Sequence, residues 1–178
     1  MSSIVVSGDT SGAITISAPA VAGTNTITLP AATGTMMVSG NMPAFSVYMS
    51  ANQSVTTGTW TKAQLNTENF DTNSYFDNAT NYRFTPLVAG YYQINGSTNT
   101  ESSTTRTRLL AAIYKNGTEY KRADMNYTNV NSSFVADVVY FNGSTDYVEL
   151  YGFVNGTGTV FVGGNYATFF SGAMVRSA

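Results

Sequence analysis

Hydrophobic positions fall into two regimes along the chain. Through residue 40 the apolar residues are short aliphatics alternating with Ser, Thr, Gly and Ala, whereas aromatics begin at Phe45 and recur from there on. In the first regime Ala13-Ile14-Thr15-Ile16-Ser17-Ala18-Pro19-Ala20 is echoed by Asn25-Thr26-Ile27-Thr28-Leu29-Pro30-Ala31-Ala32. Each copy reads as a short strand: Ile14 and Ile16, then Ile27 and Leu29, share a face at period two, and Pro19 or Pro30 stops the ladder. So few apolar side chains cannot offset an ordering cost of about 1–2 kcal/mol per residue. The arm is therefore expected to order by pairing with other chains, its own symmetry mates or a larger assembly. The simpler alternative is a flexible neutral tail.

From residue 43 onward the pattern is of consecutive strands with turn residues between them. Arg108 to Lys115 runs into Asn116-Gly117, a dipeptide suited to the two left-handed positions of a type I′ turn, and Tyr120 to Tyr127 is the return strand. Phe134 to Phe141 is expected to pair with Tyr147 to Val154 across the turn Asn142-Gly143-Ser144-Thr145. A third pair flanks Asn155-Gly156-Thr157-Gly158. Helix signals are nearly absent, so the spacing predicts an all-β antiparallel sandwich or jelly roll. The boundary between arm (1–40) and body (41–178) falls in Val38-Ser39-Gly40-Asn41-Met42-Pro43.

Composition removes many chemistries. The 178 residues include no His and no Cys, which excludes histidine or thiolate metal sites, disulfides and the common nucleophile triads. Eight Lys and Arg residues, dispersed along the sequence, provide no phosphate-binding stripe, so nucleic acid is not an expected partner. The apolar run Leu109 to Tyr114 is too short to span a bilayer, and Met1-Ser2-Ser3-Ile4 does not open a secretory signal; neither membrane insertion nor export is expected. Asp124, Asp137, Asp146 and Glu149 are not spaced as a catalytic pair and read as solvated charges, so no enzyme is expected. Asp71-Thr72-Asn73-Ser74-Tyr75-Phe76-Asp77-Asn78 faintly resembles an oxygen-rich calcium loop but lacks the glycine and closing glutamate of an EF-hand. No cofactor is expected, with calcium as the single ion left open.

Three segments of the body resemble, in order, the globular head of the first complement component. Phe70-Asp71 with Tyr75-Phe76-Asp77 is similar to that family's "FD…YFD" stretch. Arg83-Phe84-Thr85-Pro86-Leu87-Val88-Ala89-Gly90-Tyr91-Tyr92 is similar to "kFtpPvaGvYyF", and Phe169-Phe170-Ser171-Gly172-Ala173-Met174-Val175 to "tyFsGfll". The resemblance implies a tumour-necrosis-factor-like jelly roll that assembles as a homotrimer through aromatic faces. It departs from the family after Phe141, where Gly143 and Asp146 are separated. If Tyr92, Ile94, Val139, Phe141, Phe170 and Gly172 point into the sandwich, as the family pattern implies, then Tyr91, Gln93, Val138, Tyr140, Phe169 and Ser171 point outward to neighbouring protomers.

The arm has a resemblance of its own. Thr26-Ile27-Thr28-Leu29-Pro30-Ala31-Ala32-Thr33-Gly34-Thr35 is similar to "T-x-T-L-P-a-x-x-G-T" segments near the start of tailed-bacteriophage fibre and head-decoration proteins. Together the two resemblances imply a virion component assembled in the host cytoplasm. The expected role is a trimeric capsid decoration protein, of the cement or head-fibre kind, gripping a shell protein or another virion protein through residues 1–40. Ile14, Ile16, Ile27, Leu29 and Pro30 are the expected assembly residues of that arm, pairing with a shell subunit or with one another. The alternatives are the receptor-binding tip of a tail fibre, and an extracellular adhesin or carbohydrate-binding module; a host-surface glycan or receptor would then be the partner of the head.

Overall fold

The computed structural model describes residues 3–28, 31–34, 36–101, 105–125, 131–157 and 160–178. The chain divides into two units, Met1–Gly34 and Thr35–Ala178. Residues 36–40, read from the sequence as the end of the arm, fall in the second unit, and Met37 packs against its core.

In the first unit, strands β1 (Ser3–Ser7) and β2 (Ala13–Ser17) form an antiparallel hairpin. Gly8 and Gly12 allow the reversal: the Gly8 N–H donates to the Gly12 carbonyl at 3.0 Å, and Gly12 has φ 77°. The first half of the sequence repeat is thus a strand, but it pairs within its own chain rather than needing another. The second half is not one: Asn25 to Thr28 form no ladder, and Leu29 and Pro30 lie outside the described residues. Asn25 instead turns its side-chain amide back to the Ala22 carbonyl at 2.8 Å, a local bond that competes with extended pairing.

The second unit contains β3 (Ala44–Tyr48), β4 (Gln53–Ser54), β5 (Trp60–Lys62), β6 (Thr67–Asp71), β7 (Phe76–Asp77), β8 (Arg83–Phe84), β9 (Gly90–Asn99), β10 (Arg108–Lys115), β11 (Thr118–Met125), β12 (Ser132–Phe141), β13 (Val148–Asn155), β14 (Val160–Phe161) and β15 (Phe169–Ser177). One sheet has the order β12-β9-β15-β3-β6; the other runs β11-β10-β13-β8-β7, with β5 also paired to β13. Between them lies a core of aromatic rings, with Phe45 stacked on Phe84 at 4.2 Å and Tyr92 edge-on to Phe141 at 5.1 Å. The Tyr92 hydroxyl satisfies itself on the Val88 carbonyl at 2.8 Å, and burial pushes its pKa up.

The β10–β11 hairpin forms as expected, with Asn116 at φ 52° and Gly117 at φ 78°. The other two expected hairpins do not. β12 pairs with β9 and β13 with β10, so the segment between them crosses from one sheet to the other. The crossing loop is too wide for a two-residue turn: Asn142 Oδ1 accepts from the N–H groups of Ser144, Thr145 and Asp146. Asp146 in turn receives the Asn142 N–H, the Asn116 amide and Lys115. Phe141 and Val148, at its two ends, both enter the core from opposite sheets. Nor does β13 pair with β14 across residues 155–158; β14 pairs with β4.

Two glycines make room for neighbouring strands within the β12-β9-β15-β3-β6 sheet. A β-carbon at Gly172 would lie 2.7 Å from Ile94 Cδ1 and 2.8 Å from Phe45 Cε1, and one at Gly90 would collide with the Arg176 carbonyl.

Candidate assembly interface

The solvent side of the β12-β9-β15-β3-β6 sheet is set by strict alternation. Tyr92, Ile94, Val139, Phe141, Phe170 and Gly172 are buried in the sandwich, while Tyr91, Gln93, Val138, Tyr140, Phe169 and Ser171 lie on the opposite side. All six residues singled out from the sequence therefore share one face. Register aligns them in cross-strand rows: Arg176, Tyr91 and Tyr140; then Ala44, Ala173, Gln93 and Val138; then Ser46, Ser171, Asn95 and Ala136; then Tyr48, Phe169, Ser97 and Phe134.

The rows have a chemical order. Aromatics form the two outer rows, with Tyr91 and Tyr140 centroids 5.3 Å apart and Phe134 and Phe169 6.4 Å apart. Small side chains and two amides fill the middle, where Gln93 Nε2 donates to Asn95 Oδ1 at 3.1 Å. A shallow hollow of about 230 Å³ lies there, lined by Ala44, Phe70, Gln93, Asn95, Ser171 and Ala173 among others. Arg176, placed 5.8 Å over the Tyr91 ring, is the single charge in the four rows. Phe134, Phe70, Val138, Tyr140 and Tyr91 all remain exposed. A sheet face that is apolar at both ends, polar and small in the centre and nearly without charge has the composition of a protein interface core.

Sequence reasoning placed six residues of this face and missed the rest. Phe134 was inside an expected strand but not placed on it, and Ala44, Ser46, Tyr48 and Phe70 sit in strands that were not singled out. The signal existed in Ala44-Phe45-Ser46-Val47-Tyr48, where Phe45 and Val47 are buried and their neighbours are not.

The acidic groups have structural partners. Asp71 accepts the Phe76 N–H at 2.7 Å and the Asn73 N–H at 3.3 Å. Asp77 accepts from the N–H of Thr80, Ala79 and Asn81 and from the Asn81 amide, led by Thr80, which holds its carboxyl down at about 2 against the opposing effect of burial. Both carboxylates of the calcium-like segment thus fasten their own turns, and among the described residues no three acidic side chains gather. Glu149 is not a solvated charge as expected: it is buried and paired with Lys62 at 2.8 Å. Asp137 pairs with Lys121, and Asp146 with Lys115. Burial opposes ionisation of Asp146, but the Asn116 and Lys115 hydrogen bonds prevail and lower its pKa. The Asp124 side chain lies outside the described ones. Arg106, fully buried, donates to the Glu101 carbonyl and the Asn131 side chain, an anchor that no sequence pattern marked.

In the first unit Ile14 and Ile16 occupy one face of the hairpin opposite Val6 and Ile4. Ile27 is exposed and outside any strand. Among the described residues no helix is long and apolar enough to cross a membrane.

No family model and no curated protein matches the chain. Solved structures do match in fold. The globular domain of zebrafish complement 1qA protein is 17% identical with a TM-score of 0.57, covering 76% of this chain and 99% of that one. Murine APRIL at pH 5.0 is 11% identical with a TM-score of 0.59, over 75% and 99%. The PRD1 vertex protein P5 is 12% identical with a TM-score of 0.54, over 75% and 97%. The chain has the all-β antiparallel jelly-roll fold of these complement-type and TNF-type heads.

Proposed function

We propose that the chain is a non-enzymatic, homotrimeric virion component, a capsid decoration protein whose residues 1–40 attach to the shell and whose head, residues 41–178, projects from it. The observation that carries the trimer is the nearly neutral sheet face bounded by Tyr91, Tyr140, Phe134 and Phe169: a soluble monomer rarely leaves so continuous an apolar face open, and a rotational assembly buries it. The virion setting is supported by the vertex protein among the fold relatives and by the fibre-like segment Thr26 to Thr35. Attachment through the arm is supported by its composition, with Asp9 its single charge.

The test compares the full chain with one starting at Asn41. Both are expected to trimerise, because the aromatic core begins at Phe45 and the truncation takes from it only the partly buried Met37. Full-length protein is expected to bind undecorated capsids and the shortened chain is not, with a loss larger than one arm accounts for because three arms act together. Capsid binding by the shortened chain would overturn the reading. Binding of host cells by the head, with capsids ignored by the full chain, would favour the tail-fibre tip instead.

A further inference from the structure

The N-terminal hairpin has two chemically different faces. Ile4 pairs with Ile16 and Val6 with Ile14, which puts four β-branched aliphatics on one side; Ser3, Ser7, Thr15 and Ser17 lie on the other together with Val5 and Ala13. The four aliphatics remain between 54% and 71% exposed. A two-stranded hairpin is marginal in water unless a hydrophobic face is covered. Something must therefore cover this one for the hairpin to persist.

We propose that the cover is the same face of the two other copies, so that three hairpins close into an apolar cluster that is a second trimer contact, distinct from the sheet face of the head. This inference rests on the trimer reading above. Four aliphatics more than half exposed present on the order of 400 Å² per copy, which a trimer divides into three pairwise contacts of about 400 Å² each, too little to hold free hairpins together and therefore a contact that works only between copies already joined by their heads. Charge favours identical copies as the cover. Asp9 lies in the turn between the strands, so neither face carries a charge that would repel an identical copy or attract a charged partner. Joined heads also supply the copies at high effective concentration, so each hairpin meets its own kind before any other partner. In such a cluster the hydroxyl-bearing face and the two outer strand edges stay available for attachment to a shell.

The chain has no cysteine, so single-cysteine variants of the full-length protein report the contact cleanly. Ile14→Cys, and independently Ile16→Cys, are treated with a short bis-maleimide, with Thr15→Cys on the opposite face as the comparison. Each sample is also weighed by light scattering. The expected result is a trimer mass with abundant linked dimer on a denaturing gel for the two isoleucine positions, and several-fold less for Thr15→Cys. A trimer mass with equal linking at all three positions, or with none, overturns the hairpin cluster and leaves the head trimer standing. A monomer mass overturns both.

Discussion

Replacing Tyr140 with Asp separates assembly from folding. The Tyr140 ring is 42% exposed, sits 5.3 Å from Tyr91 and lies at one end of the apolar face. Within one protomer the change removes an aromatic pair, worth about 0.5–1.5 kcal/mol. It also removes partial burial of the ring, worth about 1–2 kcal/mol. A domain stable by about 5–15 kcal/mol stays folded after that loss. In the trimer the exposed part of the ring is covered, and a carboxylate there would be desolvated. Lys115, whose Nζ lies 5.9 Å from the Tyr140 ring centroid, is already held by Asp146 at 3.0 Å and by the Tyr140 carbonyl at 2.7 Å, and Arg176 in the same row is placed over Tyr91 one strand away. At about 2–3 kcal/mol for each unpaired carboxylate, three sites weaken assembly by about 6–9 kcal/mol, roughly 10⁴ to 10⁶ in the association constant. Light scattering at micromolar concentration should then give a mass near 19.0 kDa for Tyr140→Asp and three times that for the parent, with unchanged far-ultraviolet circular dichroism. Tyr120→Asp is the control, since Tyr120 is 46% exposed on β11 of the other sheet and should leave the trimer intact. An unchanged trimer mass for Tyr140→Asp, or dissociation by Tyr120→Asp alone, would refute the choice of face.

Two further outcomes follow from the charged groups. In the Lys62–Glu149 pair the side chains are 31% and 6% exposed, so Lys62→Ala strands a carboxylate that cannot reach water and should cost about 3 kcal/mol, whereas Glu149→Ala leaves a lysine that can turn outward and should cost about 1–2 kcal/mol. Urea unfolding giving the reverse order would contradict the burial argument. Asp77, held at about 2 in the fold against 3.8 as its ordinary value, contributes stability that is complete above about pH 4 and is lost as pH falls toward 2. Its partial exposure limits the effect to about 1 kcal/mol. Asp77→Asn should flatten that part of the stability profile, and a parent profile already flat there would be inconsistent with the carboxylate's role.

The local parts of the fold were legible because short-range chemistry determines them. Asn116-Gly117 specifies its hairpin wherever it occurs, and alternation through residues 90–94, 134–141 and 169–174 sorts the inward from the outward side chains. All six residues expected from the sequence to face neighbouring protomers share one side of the sheet for that reason. Partner choice was not legible. Asn142 to Asp146 resembles a hairpin turn in composition, and the crossing between sheets follows from Phe141 and Val148 both entering one core, which no local pattern records. Glu149 sits between Val148 and Leu150 like an outward-facing polar residue, and its burial depends on Lys62 brought alongside by the β5–β13 pairing. The second half of the arm repeat shows the converse, since period-two alternation alone did not make Asn25 to Thr28 a strand.

The position of β15 between β9 and β3 also governs when the chain can fold. β3 is an early strand of the head, yet its ladder on the β9 side is provided by β15, with Phe45 opposite Gly172. As the polypeptide leaves the ribosome, β3 and β9 have no direct ladder to each other and wait for residues 169–177. The continuous face from β12 to β6 is therefore completed only when β15 is inserted. Such distant pairing slows folding and leaves strand edges open in the interval. Without β15 the head holds the β12–β9 and β3–β6 parts of this face as two separate pieces, and only the finished chain joins them into one surface.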